Sequence, residues 1–583
     1  MRNIRCSSLF VLAISSSLCV SLHAETEPSL AGHWKLQGDC RDYSGNDNHG
    51  VNHGVDLQRG EFDGKSSFIE VPISDSLQLG SDDFTFAAWI WTPPELDDIA
   101  GDVVSMFDPQ TRRGVNFTIK SSSGGYQSQG TDRQIHFGID NAHTGDWIDC
   151  GRPNPTSNYV SNSLTVFDGH LYAATTDGQD ADDWCHVYRY DGDQKWTDCG
   201  RVGTGKTTGV MPLIVHDGQL YAATSTYDWT RVQDGDYEPG RVYRYLGGIE
   251  WEDCGQPSDS RTLNSLASYQ GRLYAGGGPE TWGVFKLDAD KKWHVSMEFS
   301  KEGPQRCFPH AMCRRNGRLY VAYPGVYELD GAQWNFVGNP LAIEENPMLQ
   351  SHSLTLHQGE LLVGTWPEAK VAVYKGDKSW EEIGRVGVDG TEVNSLAVYN
   401  GKLYGGSLPR SEVCRYDGES TWSSIKRFYS PAGWIPGVPG AANRKEVNEW
   451  GRVTSLTVFD GKLFASTGSC TSSTQDAPLD VRGKVFSMEA GKMASSSKDL
   501  GAGWKHVAAV RSGGSLKLYV NGELAAESSS FDPADYDLNS GKPLLLGFGQ
   551  TEYFDGKMND VRLYRKALSD HRIAELAASQ PAD

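Results

Sequence analysis

The sequence predicts an all-β chain organised around a seven-bladed propeller. The first sign is a hairpin, Leu164 to Ala174, in which two apolar alternating runs flank Asp168-Gly169. That dipeptide suits a type I′ turn, whose two central residues both need positive φ. The second is repetition. The same pattern recurs at Asp217-Gly218, Gln270-Gly271, Asn316-Gly317, Gln358-Gly359, Asn400-Gly401 and Asp460-Gly461, with turn glycines 49, 53, 46, 42, 42 and 60 residues apart. Such periods belong to propellers and solenoids. The third is a displaced strand. Six copies are followed by a second strand pair whose outer member carries Trp196, Trp251, Trp293, Trp334, Trp380 or Trp422, while the seventh ends at Val485 to Met488 without one. The missing strand stands ahead of the first copy, as Trp147 to Pro153. Pairing it with the seventh copy closes a ring of four-stranded blades and removes the sheet edge that an open array exposes.

From the N-terminus, residues 1–24 read as a secretory signal: Arg2 and Arg5, an apolar run from Leu9 to Leu22 and Ala24 at a cleavage position. The alternative is a lipid anchor through Cys19, against which Leu18 stands where a small residue is wanted. No later stretch is long and apolar enough for a spanning helix, so a soluble, secreted or periplasmic mature chain is expected, with no membrane span. The net charge of -21 argues against nucleic acid as a partner, because phosphate-backbone binding needs cations. Of eleven cysteines, Cys6 and Cys19 fall in the leader. Export permits disulfides, and two pairs are candidates: Cys185 with Cys199 across the Asp191-Gly192 turn, and Cys150 with Cys470 in the closing blade. The competing reading makes such cysteines small buried apolar residues.

Residues 28–141 and 500–580 differ from the blades. Strands are expected at Phe68 to Val71, Phe84 to Trp91, Val103 to Phe107, Val115 to Lys120 and Gln134 to Ile139. In the second segment they fall at Trp504 to Val510, Leu516 to Ala525 around Asn521-Gly522, Leu544 to Phe548 and Gly556 to Tyr564. A short helix from Asp570 to Ala577 follows, with Ser569 as its N-cap.

Several motifs in these segments resemble the laminin-G-like, concanavalin A-like jelly roll: Asp42-x-Ser-Gly-Asn46 with His49-Gly50, Phe62-Asp-Gly64 and Phe84 to Trp89, then Trp504-x-His-Val-Ala508, Leu518 to Gly522 and Asp560 to Tyr564. The resemblance implies a sandwich split in two, with the propeller, residues 146–490, inserted between its halves; Leu273 to Gly277 and Leu403 to Gly406 make the repeats resemble the kelch type. It also implies a calcium ion held by Asp42, Asp560 and carbonyls near Gly50, oxygen ligands that suit this cation. An Asx-turn at Asp42 and a solvated Asp560 are the alternative. This fold serves lectins, adhesion modules and glycosidases alike, so it implies binding of a glycan or an extracellular protein without fixing a reaction.

A glycosidase needs two carboxylates at a defined separation across a cleft. None stands out: Glu523 and Glu527 lie four apart on a hairpin strand of solvated character. No nucleotide cofactor is expected either, since Gly276 to Gly278 opens no helix. The propeller offers more. Seven residues before each turn glycine stand Asn162, Met211, Asn264, His310, His352, Asn394 and Thr454, positions that ring one end of a propeller channel. Asn and His both donate to and accept from hydroxyls. Loops expected on that face carry Trp229, Trp282, Arg306, Tyr323, Trp366, Arg410, Arg444 and Trp450, a mixture suited to sugar faces and acidic groups. Strand capping and blade packing are the plain alternative. The expected function is therefore lectin-like or adhesive binding. The runner-up is a polysaccharide lyase or glycoside hydrolase acting through His310, His352 and Arg306, and the third reading is a scaffold.

Overall fold

The computed structural model describes residues 29–121, 129–157, 159–161, 164–176, 185–226, 232–299, 308–341, 350–429, 451–469 and 480–579. The leader, Asn162, Trp229, Arg306, Arg444, Trp450 and Cys470 lie outside them. The chain is all-β: a concanavalin A-like sandwich carrying an inserted seven-bladed propeller. Both sandwich sheets draw strands from both ends of the sequence. In the first, Phe84–Thr92 lies between Gly503–Ser512 and Asp555–Tyr564, and Leu30–Trp34 pairs with the latter. In the second, Leu544–Leu546 lies between Phe68–Val71 and Gly101–Asp108, followed by Arg113–Lys120, Gln134–Asn141 and Lys492–Ser495. Alternation sends Val115, Phe117, Ile119, Ile135 and Phe137 into the core shared with Phe84, Phe86 and Val507. The opposite face of this sheet is polar, with Asp102, Asn116, Lys120 and His136 among its residues. A terminal helix, Asp570–Ala578, starts where the Ser569 hydroxyl accepts from the Arg572 N–H.

Every one of the seven hairpin turns has both central residues at positive φ, from Asp168 and Gly169 at 45° and 80° to Asp460 and Gly461 at 48° and 71°. Blade 7 is completed by the segment from the propeller's beginning: Ile148–Asp149 pairs with Val485–Met488. Neighbouring blades are joined by a repeated bond. The outer-strand indole N–H of Trp196 donates to the carbonyl of Cys150 at 2.9 Å, Trp251 to Cys199 at 2.9 Å, Trp293 to Cys254 at 3.0 Å, Trp380 to Val337 at 2.9 Å and Trp422 to Ile383 at 2.8 Å. Trp334 uses the hydroxyl of Ser296 at 3.0 Å. Each acceptor lies three residues beyond the tryptophan of the preceding blade. Trp147, between blades 6 and 7, makes no such bond among the described residues and meets Phe428 edge-on, ring centres 5.1 Å apart. Replacing Trp251 with Phe should therefore cost about 1 kcal/mol in thermal unfolding, and Trp147→Phe clearly less.

The candidate disulfide between Cys185 and Cys199 is not present. The hairpin turns at Asp193 and Gln194, not at Asp191-Gly192, and this shift sets Cys185 against Val202 through the Val202 N–H. The Cys185 thiol donates to the Thr207 hydroxyl at 3.3 Å and Cys199 is buried in the blade. Cys150 is likewise a buried thiol, donating to the Ser487 hydroxyl at 3.2 Å. These cysteines behave as small core residues.

The propeller stands on the sandwich by its hairpin turns. The N–H of Gly169 donates to Ser497, Asp217 to the Thr131 hydroxyl, Gln270 to the Asp97 carboxylate and Asn316 to the Asp98 carboxylate. Gln358 and Gly359 donate to the carbonyls of Gln550 and Thr551, and the Asn400 amide to those of Ile139 and Ala490. In blade 7, a Cβ on Gly461 would fall 2.3 Å from the Met493 carbonyl, so only glycine allows this approach. Across the seam, buried Lys402 pairs with buried Asp140. The polar face of the second sandwich sheet is thus covered by the propeller.

Candidate functional site

The ring at the far end of the channel arises from a repeated irregularity. The innermost strands slip register between Val210 and Leu213, Leu263 and Ser265, Ser351 and Ser353, Val393 and Ser395, and Val453 and Ser455. The extra residues are Met211 with Pro212, Asn264, His352, Asn394 and Thr454. A β-bulge re-aims its side chain. His310 occupies the equivalent place just ahead of Ala311–Arg315.

Four of these residues are joined in one network. The amide of Asn264 lies 3.5 Å from Nδ1 of His310, and the rings of His310 and His352 stack with centres 4.1 Å apart and planes 20° from parallel. Nδ1 of His352 is 3.2 Å from Oε1 of Glu392, which also receives the Asn394 amide and lies 3.4 Å from Nη1 of Arg452. Nε2 of His352 is 2.9 Å from the Gln350 side-chain amide. Burial holds both imidazoles neutral: His310 titrates well below the ordinary range, with His352 beside it as the next cause, and His352 is pushed down to about 3, helped by the Arg452 charge. A neutral imidazole has one N–H and one lone pair, so His352 donates to only one of its two neighbours. Oδ1 of Asn394 is buried without a hydrogen-bond partner among the described residues.

Two further described ring positions bond within the blades. Thr454 bonds the Ser466 hydroxyl of its own blade at 2.8 Å, and Met211 sulfur meets the Thr176 hydroxyl at 3.9 Å. Trp282 and Tyr323 are buried packing residues, the first against Phe308 at 5.2 Å, the second stacked on Phe299 at 3.8 Å. Phe308 in turn meets His310 edge-on at 5.8 Å, so an aromatic row runs from Trp282 to His352. Trp366 is half-buried opposite Gln350, and Arg410 is buried beside Gly451. Glu392, Arg452 and Gln350 belong to the network without having been expected there. Glu392 had one signal: it lies two residues before Asn394 on the same inner strand.

In the sandwich, Asp42 and Asp560 stand on either side of His33. The Asp42 carboxylate accepts from the N–H groups of His33 at 2.9 Å, Ser44 at 2.8 Å and Asn48 at 3.0 Å, the pattern of an Asx-type turn. Asp560 lies 2.6 Å from Nε2 of His33 and 2.9 Å from the Arg562 guanidinium, a pairing that keeps its carboxyl below the usual range against the opposing effect of burial. Among the described residues, no group of three His, Cys, Asp or Glu is placed to hold a metal ion.

A family model described as the concanavalin A-like lectin/glucanases superfamily matches residues 450–574. The start of this span, up to Val485–Met488, is blade 7, and the sandwich resumes at Lys492–Ser495. No curated protein matches the chain. Among solved structures, a catalytically inactive virginiamycin B lyase from Staphylococcus aureus with quinupristin is 10% identical, covering 59% of this chain and 99% of its own at a TM-score of 0.41. Sqt1 of Saccharomyces cerevisiae is 11% identical over 70% of this chain and 99% of its own, TM-score 0.36. The PQQ-bound aldose sugar dehydrogenase of Streptomyces coelicolor is 11% identical over 60% and 99%, TM-score 0.32. No helix among the described residues is long and apolar enough to cross a membrane.

Proposed function

We propose that the chain is an exported carbohydrate-binding protein whose glycan meets Asn264, His310, His352 and Asn394 at the ringed end of the propeller channel. The observation that carries this reading is the ring itself: two stacked neutral imidazoles and two amides, with the Asn394 carbonyl oxygen buried and without a partner among the described residues. A buried acceptor without a donor costs about 1–3 kcal/mol, which a ligand hydroxyl would offset. The match to the lectin and glucanase superfamily supports carbohydrate as the ligand class. The sandwich's own polar sheet face is taken up by the seat of the propeller, so the ring is the better placed of the two surfaces. A glycan array with wild type and the His310→Ala/His352→Ala double variant tests this. Retention by the wild type, lost in the variant, is expected; equal retention by both would remove the ring from the binding site.

A second reading is favoured by one contact. Glu392 places a carboxylate oxygen 3.2 Å from Nδ1 of His352, near where a carboxylate would sit to orient a general-base imidazole. On this reading the site is a polysaccharide lyase centre, and the same array glycans, incubated with the protein, would yield unsaturated ends absorbing in the ultraviolet. The double variant would yield none.

A further inference from the structure

Where the sandwich meets blades 5 and 6, the seat of the propeller leaves a cleft of about 210 Å³. This is several times the ~30 Å³ of one water and below the roughly 300–1,000 Å³ of pockets for drug-sized ligands, so a single ring-sized molecule fits. Both domains build it. The sandwich contributes Pro109 and Gln110 from the turn between Gly101–Asp108 and Arg113–Lys120. Blade 5 contributes His357 and Gln358 at its hairpin turn, and blade 6 contributes Tyr416 and Glu419 from its outer hairpin. Gln110, Gln358 and Glu419 are exposed, so the cleft is reached from solvent.

The deciding group is His357, which is 8% exposed. Its Nδ1 lies 2.8 Å from the Gln550 carbonyl oxygen, and because a carbonyl only accepts, Nδ1 carries the proton. Burial pushes the pKa of this imidazole down to about 4 against the opposing effect of that bond, so at neutral pH the ring is uncharged and Nε2 is a lone pair. Nε2 has no partner among the described residues, and the ring that carries it lines the cleft. Gln358 is set in the same sense: its Nε2 donates to the side-chain oxygen of Gln550 at 2.9 Å, which leaves its own oxygen to accept. Glu419 adds a carboxylate at the mouth. The other charges here face one another. Asp417 receives Arg415 at 2.5 and 3.1 Å, with Arg112 3.7 Å away, and Lys402 pairs with Asp140. Apolar surface comes from Pro109 and from the Tyr416 ring, which lies against Trp422 with centres 5.2 Å apart. Acceptors left over beside apolar rings suit a ligand that brings hydroxyl donors and a C–H face. We infer that this seam cleft binds one sugar ring, its hydroxyls donating to His357, Gln358 and Glu419 and its C–H face lying on Tyr416. The cleft shares a ligand class with the ring of the channel but none of its residues, so either site stands without the other.

The test is saturation-transfer NMR on the full-length protein with the methyl glycosides of glucose, galactose, mannose, xylose and N-acetylglucosamine, each at millimolar concentration. At least one is expected to bind, and to bind the wild type and the His310→Ala/His352→Ala double variant equally. Gln110→Trp, at an exposed turn position, fills the cleft from the sandwich side and should weaken that glycoside about tenfold or more with the melting temperature unchanged. Glu419→Gln keeps the size of the side chain and removes its charge, and about fivefold weaker binding is expected. No glycoside bound by the wild type, or full binding by both single variants, overturns the cleft as a sugar site. Binding lost in the double variant and kept in Gln110→Trp also overturns it, and assigns the sugar to the ring of the channel instead.

Discussion

Lys402→Met is expected to destabilise the protein by about 3–5 kcal/mol, read as a lowered urea midpoint, because it strands a carboxylate in the seam between the two domains. Asp140 is 0% exposed and Lys402 4%. The ammonium group pairs with the Asp140 carboxylate and donates to the Ala490 carbonyl at 3.1 Å. Asp140 has other donors, the N–H groups of Asn141 at 2.8 Å and His143 at 3.0 Å, but these are dipoles and do not replace a counter-ion. The burial that costs Lys402 its hydration also lowers its pKa, with Asp140 opposing the shift. The double variant Lys402→Met/Asp140→Leu should recover much of the loss, since an apolar pair of similar volume leaves no charge behind. A double variant no better than the single one would show that packing, not charge, is responsible.

His352→Gln should flatten the acid side of the stability profile. The folded-state pKa of His352 is about 3, below the ordinary imidazole value of about 6.5. Its neutral form therefore contributes stability that is complete above pH 6.5 and is lost as the pH falls towards 3, where the unfolded chain takes up a proton that the fold refuses. Between pH 7 and pH 4 this amounts to roughly 3 kcal/mol. The seat of the propeller works in the other direction. Asp98 and Asp132 are raised to about 7 and Asp102 to about 6, chiefly by burial, so they favour the fold at low pH and lose that contribution as the pH rises through those values. The wild-type curve sums opposing slopes, and the difference between wild type and variant isolates the imidazole. An unchanged difference from pH 7 to pH 4 would falsify the neutral, buried state of His352.

The blades were legible because each level of the sequence repeats the same instruction. The turn dipeptides need positive φ and have it, and the outer tryptophan recurs because each blade must grip its neighbour. The sandwich strands were legible from alternation, and the ring from its fixed distance to the turn glycine. What escaped has no period. Asp97, Asp98, Thr131, Ser497, Gln550 and Thr551 seat the propeller from irregular loops of the sandwich, and nothing in their spacing announces it. The Cys185 pairing failed for a local reason: a bulged turn at Asp193-Gln194 moves the register, and a register cannot be read from a dipeptide when two candidate turns adjoin. Trp282 and Tyr323, read as loop aromatics, do lie outside the strands, just before Gly283–Leu287 and just after Arg318–Ala322, but they fold inward and are buried in a core cluster.

The chain leaves the sandwich after Gln134–Asn141 and returns on its direct neighbour, Lys492–Ser495, so the propeller occupies the place of a hairpin loop. This order has a consequence for biosynthesis. When residue 141 has left the ribosome, Phe84–Thr92 exists without Gly503–Ser512 and Asp555–Tyr564, the two strands that flank it. At about 5–20 residues per second, the half-made sandwich waits on the order of tens of seconds with its apolar face uncovered. The propeller's last strand, Val485–Met488, precedes both late strands in the sequence, so the inserted domain is complete before the sandwich around it can close.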